Sequence, residues 1–337
     1  MLEIKVLLFT SFLVLFLNYI LRKFKFLVDK KYSIHKLFAS TDLVPISGGI
    51  VFFISIITFL STDNLYFKIL ITFIFLIGLL SDINYLISPI KRIFFQLFFI
   101  FLFIYINDVY VESIRLDIID QLFKNIIFKI IFTSFCLLVL INGSNFIDGL
   151  NTILIGYYII LSFISILLIK KFGLDQNVFQ NFIIILSTLS VLVIFNFFGK
   201  LFSGDGGAYL ISFMIGIFLV DLAAFSEQIS PYFVACLLWY PAYENLFSIV
   251  RKRILKKSII KPDNRHLHHL IFLYFKNIIK LKNSFLNSIS GISINIFNVI
   301  IFYNAYQNIS QTKNLILLIF FSILIYNLIY WKLNKAT

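Results

Sequence analysis

Apolar stretches of near membrane-spanning length recur from one end of this chain to the other, and no other feature restricts its fold as much. A hydrocarbon core about 30 Å thick asks for about 20 apolar residues per helix. Eleven such spans are expected, near residues 4–21, 45–61, 66–81, 92–107, 126–141, 153–169, 181–197, 207–222, 231–248, 285–303 and 314–331. Of the 337 residues, 60% are hydrophobic and 13% charged; a soluble domain is about half apolar and about a quarter charged. Water-facing residues are too few to cover that apolar surface, so lipid is the solvent. The spans leave no room for a separate soluble domain. The expectation is one all-α unit over 1–337, a polytopic transmembrane helical bundle, with several spans short enough to extend into loop sequence or to be buried. The first span has no small-residue cleavage site after it and is followed by Arg22, Lys23 and Lys25, which predicts a retained helix. Cys136 and Cys236 lie inside apolar runs and supply no disulfide framework.

The loops between these spans alternate between two sides. The side holding 22–44, 82–91, 142–152, 198–206, 249–284 and the C-terminus carries, with its span edges, 21 of the 29 Lys and Arg. Excess Lys and Arg marks the cytoplasmic side, so the N-terminus is expected outside and the C-terminus inside. Asp175 should then face outside, and Lys261 and Thr337 the cytoplasm. The stretch 249–284 reads as a large basic cytoplasmic loop. The net charge of +13 thus reflects topology and attraction to anionic headgroups, and no soluble basic domain is left to bind nucleic acid.

The unusual polar residues converge on that same side. Asp82, Asn142, Asn145, Asp148, Asn151, Lys200, Asp205, Arg265, His266, His268 and His269 all fall in its loops, although only Lys200 and Arg265 entered the charge count. A single site is the simplest reading. In 142–151 an amide or carboxylate stands at every third residue: Asn142, Asn145, Asp148, Asn151. An α-helix would spread these over half its circumference, whereas a 3₁₀ turn would align them on one face, where four oxygen-bearing groups suit a hard cation or a sugar nucleotide. Helix caps in a polar linker explain the same run. In 203–207, Gly204, Gly206 and Gly207 flank Asp205 at the start of the eighth span, a place where backbone N–H groups can meet phosphate; Asp205 would be there for a metal or as an N-cap. Arg265, His266, His268 and His269 lack the spacing of a zinc protease and fit phosphate recognition better, with a hydrated basic loop as the plain alternative. His35 is isolated and reads as a surface residue.

Order and spacing together say more than any one motif. Pro45-x-x-Gly48-Gly49, Gly78-Leu-x-x-Asp82, Asn142-x-x-Asn145-Phe-x-Asp148-Gly, Phe202-x-Gly204-Asp205-x-Gly207 and Pro262-Asp263-x-x-His266-x-His268-His269 follow one another on successive cytoplasmic loops. From about Asp29 to Phe272 the chain resembles the polyprenyl-phosphate N-acetylhexosamine-1-phosphate transferases, which include the phospho-MurNAc-pentapeptide translocase. The eleven spans and the Pro-Asp-x-x-His-Leu-His-His wording resemble the undecaprenyl-phosphate GlcNAc-1-phosphate branch.

The resemblance implies a bacterial inner-membrane enzyme with a cytoplasmic active site, which moves a sugar-1-phosphate from a UDP-activated amino sugar to a polyprenyl phosphate. It implies Mg²⁺, or Mn²⁺, on Asp205 and Asn145. Catalytic roles fall to Asp82, Asp148, His266, His268 and His269, and substrate binding to Asn142, Asn151, Lys200, Gly204, Gly206 and Arg265. A homodimer is a further possible partner state. Ser81 stands where the family usually has the first Asp of an Asp-Asp pair, and Asn151 where bacterial members usually have Asp. The stretch from Asn196 to Asp205 is one residue shorter and lacks Pro-Pro-Ala. A non-catalytic relative and a secondary transporter are the competing readings; a transporter would place its ionisable groups at mid-membrane.

Overall fold

The computed structural model describes residues 1–28, 43–62, 64–173, 176–258 and 265–336. His35, Asp175, Lys261, Pro262, Asp263 and Thr337, and the first residues of the family resemblance, lie outside the described residues. The protein folds as an all-helical bundle in the order α1 (Leu2–Phe24), α2 (Gly48–Phe59), α3 (Leu65–Asp82), α4 (Pro89–Asn107), α5 (Asp117–Asp120), α6 (Ile126–Ile147), α7 (Ile153–Phe172), α8 (Gln176–Phe197), α9 (Gly204–Phe225), α10 (Pro231–Ile254), α11 (Leu267–Ile278), α12 (Asn283–Gln307) and α13 (Thr312–Ala336). Among the described residues, ten helices are long and apolar enough to cross a membrane, and the chain is a multi-pass membrane protein.

The starts of these helices follow from short polar residues that outcompete water for the first free N–H groups. Asn64, Ser88, Asn125 and Ser230 cap α3, α4, α6 and α10, and Pro89 and Pro231 occupy first-turn positions that need no donor.

The second expected span departs from the pattern. It contains only the 12 residues of α2, about 18 Å of helix. Its flanks are held extended instead. The N–H groups of Gly48 and Gly49 donate to the carbonyls of Phe202 and Ser203, each at 2.9 Å. At the other end the Ser61 N–H donates to Asn181 Oδ1 at 2.9 Å. The Ser47 hydroxyl meets Asn18 near the end of α1, so the segment still runs from one end of the bundle to the other and the alternation of loops survives.

The most enclosed helix is α9, with 78% of its span buried, against 22% for α4 and α13. Small residues let backbones come that close. A Cβ added to Gly78 of α3 would lie 2.5 Å from the backbone of Gly206. A similar approach joins Gly143 of α6 to the Pro241 carbonyl of α10. Pro241 has no N–H to donate one turn back, and the Leu237 carbonyl left over accepts the Tyr157 hydroxyl at 2.6 Å.

Two expected loops are largely helical. The stretch 142–152 is helix as far as Ile147, and in 249–284 α10 continues to Ile254 while α11 follows from Leu267. The reason for the second is amphipathy: α11 buries Leu267, Leu270 and Phe272 and packs against α12 and α13. At the opposite end of the bundle, Arg115 ties three connections together by donating to the Ser310, Glu227 and Ile229 carbonyls and to the Thr312 hydroxyl.

Candidate active site

The α9 helix begins at Gly204, whose φ of +71° is a left-handed value that favours glycine. A Cβ there would also lie 2.6 Å from Asp82 Oδ2. Asp82 ends α3, and its two carboxylate oxygens accept the Asp205 and Gly206 N–H groups at 2.8 and 3.0 Å. One helix thus caps another, and the positive end of α9 stabilises the Asp82 charge. Those two N–H groups are taken by a side chain of the protein, and Gly204 and Gly206 make room for α3, with Gly206 against Leu79 and Phe75.

With its N–H engaged by Asp82, Asp205 turns its carboxylate toward three other helices. Oδ2 accepts the Ser81 hydroxyl at 2.6 Å and the Arg92 Nη1 at 2.8 Å, and Oδ1 accepts the Asn145 amide at 2.6 Å. Arg92 also reaches Ser81 Oγ at 2.7 Å. The side chains of Arg92 and Asp205 are 21% and 27% exposed, so the pair is accessible at its edge. Arg92 was not among the residues picked out in the sequence, because a basic residue at a span edge reads as topology alone. The departure at Ser81 is accommodated: its hydroxyl bridges Arg92 and Asp205 where a second carboxylate would have competed with Asp205 for the same guanidinium.

The regular α-helical spacing separates the amides that a 3₁₀ turn would have aligned. Asn145 faces Asp205, while Asn142 donates to Gln96 of α4 and to the Leu138 carbonyl. Asp148 is the C-cap of α6. Asn151 is buried in a knot of polar contacts. Its N–H donates to Asn287 Oδ1 at 2.6 Å and its amide to Ser288 Oγ at 3.3 Å. The next residue, Thr152, has a φ of +67° and bonds Asn196 and the Ser288 carbonyl. The structure gives Asn151 an architectural place between α6 and α12. Asn151→Leu is therefore expected to lower stability by about 1–3 kcal/mol, the usual range for a buried polar group left without its partner, with a lowered thermal midpoint in detergent as the readout. An unchanged midpoint with lost activity would instead support the substrate-binding role that the resemblance implies.

The three described histidines of α11 and its cap gather over the turn after α6. The His266 and His268 rings stack at 5.5 Å, and His268 and His269 lie 4.2 Å apart. A Cβ on Gly149 would come within 2.8 Å of His269 Nε2 and closer still to His268. His266 also contacts Phe146, so the Asp148 turn and the histidine motif form one surface. His266 Nδ1 is 2.8 Å from Oε1 of Glu244, a fully buried carboxylate of α10 whose Oε2 accepts the Tyr326 hydroxyl at 2.6 Å. Glu244 escaped the sequence reading, although a carboxylate inside an apolar span was signal enough. The Arg265 backbone carbonyl accepts from Arg251, and its side chain is exposed. Lys200 is not a partner of Asp205; it lines a cleft beside α1.

Among the described residues no three His, Cys, Asp or Glu side chains come together as a metal cage. Two hard oxygens do adjoin. Asp205 Oδ1 faces the Asn145 amide, and rotating that amide by half a turn presents its carbonyl instead. Such a small donor set fits Mg²⁺, which keeps much of its shell for water and substrate phosphate.

The chain matches the glycosyl transferase family 4 model over residues 64–223. It is 26% identical over 247 residues to a probable undecaprenyl-phosphate N-acetylglucosaminyl 1-phosphate transferase of Bacillus subtilis, covering 69% of this chain and 66% of that one. It is 27% identical to an undecaprenyl-phosphate alpha-N-acetylglucosaminyl 1-phosphate transferase of Thermotoga maritima, covering 67% of each chain. A phospho-N-acetylmuramoyl-pentapeptide-transferase of Dictyoglomus turgidum is 30% identical over 54% of this chain and 60% of its own length. The matches therefore span about two thirds of the first two relatives' lengths. The matched region runs from α3 to α9 and holds Ser81, Asp82, Arg92, Asn145 and Asp205, and over it the chain is similar to glycosyl transferase family 4.

Proposed function

We propose that this protein transfers a sugar-1-phosphate, of the N-acetylhexosamine type, from a UDP-sugar to a polyprenyl phosphate at the cytoplasmic face of the bacterial inner membrane. The observation that carries the reading is the meeting of Ser81, Arg92, Asn145 and Asp205, from four helices, at the basic end of the bundle. An oxygen of the lipid phosphate attacks the sugar-bearing phosphorus, the bond from that phosphorus to the UMP oxygen breaks, and UMP leaves. A phosphate monoester has its second pKa near 6, so the nucleophile is largely ionised at pH 7 without a strong base. Mg²⁺, held by Asp205 and the Asn145 carbonyl, would offset the negative charge of the pyrophosphate. Arg92 is held by Ser81 and Asp205 with its guanidinium partly exposed, which suits a fixed cation beside phosphate oxygens. Glu244 fixes His266 on one ring nitrogen and leaves the other for an oxyanion.

The lipid chain has a place to lie. A groove of about 960 Å³ between α6, α9 and α10 runs past Phe132, Phe135, Leu140, Leu238 and Leu246. Its Leu140 and Leu246 end lies near Asn145 and Glu244 in the same helices. Glu244 bears on transport, being a buried ionisable group within a span. It is paired with a histidine from the site end and belongs to that cluster.

Purified protein supplied with UDP-N-acetylglucosamine and undecaprenyl phosphate is expected to release UMP in proportion to lipid-linked product. A panel of UDP-sugars identifies the donor. Folded protein that releases no UMP from any UDP-sugar would overturn the reading.

A further inference from the structure

Lys200, which the Asp205 cluster leaves unused, belongs to a second polar feature. A cleft of about 660 Å³ opens between the end of α1 and the end of α8. Arg22, Lys23 and Lys200 line its mouth, Leu15, Tyr19 and Phe195 line its walls, and no acidic side chain lines it among the described residues. Arg22 and Lys23 stand in the last turn of α1, whereas Leu15 lies about 10 Å deeper along the same helix, at about 1.5 Å per residue. The Lys23 ammonium sits 5.8 Å from the Tyr19 ring centroid, facing its π surface. Three cations at the membrane edge above an apolar wall that descends into hydrocarbon match the outline of one phospholipid: a phosphate at the top and an acyl chain below.

We propose that this cleft binds a single anionic phospholipid, its phosphate held by Arg22, Lys23 and Lys200 and one acyl chain lying against Leu15, Tyr19 and Phe195. The site touches the segment that leads to Asp205. Asn18 donates to the Lys200 carbonyl at 3.2 Å and accepts from the Ser47 hydroxyl at 2.6 Å. The carbonyls of Phe202 and Ser203 then receive the first N–H groups of α2. A lipid seated on Lys200 therefore restrains the stretch from Lys200 to Ser203, immediately before the start of α9. A bilayer phospholipid is the occupant favoured here, because the cleft is open to the lipid phase at an outer helix and none of its cations contacts Asp205.

The test is native mass spectrometry of the full chain in detergent, with phosphatidylglycerol or phosphatidylcholine of matched acyl chains. One phosphatidylglycerol should be retained, at least about tenfold more tightly than phosphatidylcholine. The Arg22→Gln/Lys23→Gln variant should lose about twenty-five-fold in that affinity, since each cation near the surface contributes roughly fivefold. Lys200→Gln alone, whose backbone contacts are untouched, should lose about fivefold, and it provides the answer if the double variant does not fold. Equal retention of the two lipids, or undiminished retention by Lys200→Gln, would overturn the proposal. Displacement by equimolar undecaprenyl phosphate would also overturn it, by giving the cleft to a lipid phosphate monoester instead.

Discussion

Asp205→Asn is expected to leave the protein folded and inserted but to lower UMP release by at least about a hundredfold, the scale of losing a direct electrostatic stabiliser. Folding should survive because the cap on α9 uses the backbone N–H of Asp205, not its side chain. The carboxylate is what the change removes: the ion pair to Arg92, and with it the charged ligand for a divalent ion. The residual activity should require more Mg²⁺ for half-maximal rate. Asp82→Asn behaves differently. An amide offers one carbonyl oxygen where the carboxylate accepts two N–H groups, so one donor at the start of α9 loses its acceptor. A lower thermal midpoint and a lower rate, with an unshifted Mg²⁺ titration, are expected. A titration that shifts for Asp82→Asn and stays at the wild-type position for Asp205→Asn would reverse the assignment of the two carboxylates.

Glu244→Leu should be the most destabilising change in the histidine cluster. It strips an acceptor from His266 and another from the Tyr326 hydroxyl, both in a fully buried setting. Breaking one side of a buried pair typically costs about 3–5 kcal/mol. Glu244→Gln keeps the shape and part of the hydrogen bonding, and should retain the fold while lowering transfer about tenfold, because a neutral amide no longer fixes the His266 ring through a charged acceptor. Removing both partners, in Glu244→Leu/His266→Phe, should recover part of the stability lost by the single change while activity stays low. Thermal unfolding in detergent and UMP release, measured on the same preparations, separate the two effects. A Glu244→Leu protein as stable as wild type would remove the buried pair from the account.

What the sequence could and could not say follows from the range of each physical signal. Span length and loop charge are local, and all eleven segments appear near their expected places. The second is shorter as a helix because Phe202 and Ser203, more than 150 residues away in the chain, hold its first N–H groups. Motif order brought Asp82, Asn145 and Asp205 to one site. It could not tell that Asp82 faces backbone while Asp205 faces Arg92, since that depends on how α3 and α9 cross at Gly78 and Gly206. Asn142 and Asn151 look equivalent to Asn145 in a three-residue repeat. A continuous α-helix through Ile147 turns Asn142 toward Gln96, and the left-handed turn at Thr152 sends Asn151 into α12. Arg92 and Glu244 were visible as letters, but one was absorbed into a count of positive charge and the other lay inside an apolar span.

The placing of Asp82 bears on how the chain is assembled as it is made. Among the described residues, the side chains that hydrogen-bond the Asp205 carboxylate, and the carboxylate that caps its helix, lie earlier in the sequence: Ser81 and Asp82 in α3, Arg92 in α4, Asn145 in α6. When α9 emerges during synthesis, its polar start enters a socket whose other walls are already in the membrane, so the bare N–H groups and the carboxylate need not wait in lipid for partners. The histidine cluster is arranged the opposite way. Glu244 must sit in the bilayer until His266, and then Tyr326, are translated. Biogenesis is thereby divided in time: the Asp205 centre closes as soon as its own helix arrives, and the exposed interval for a buried charge falls on the final third of translation.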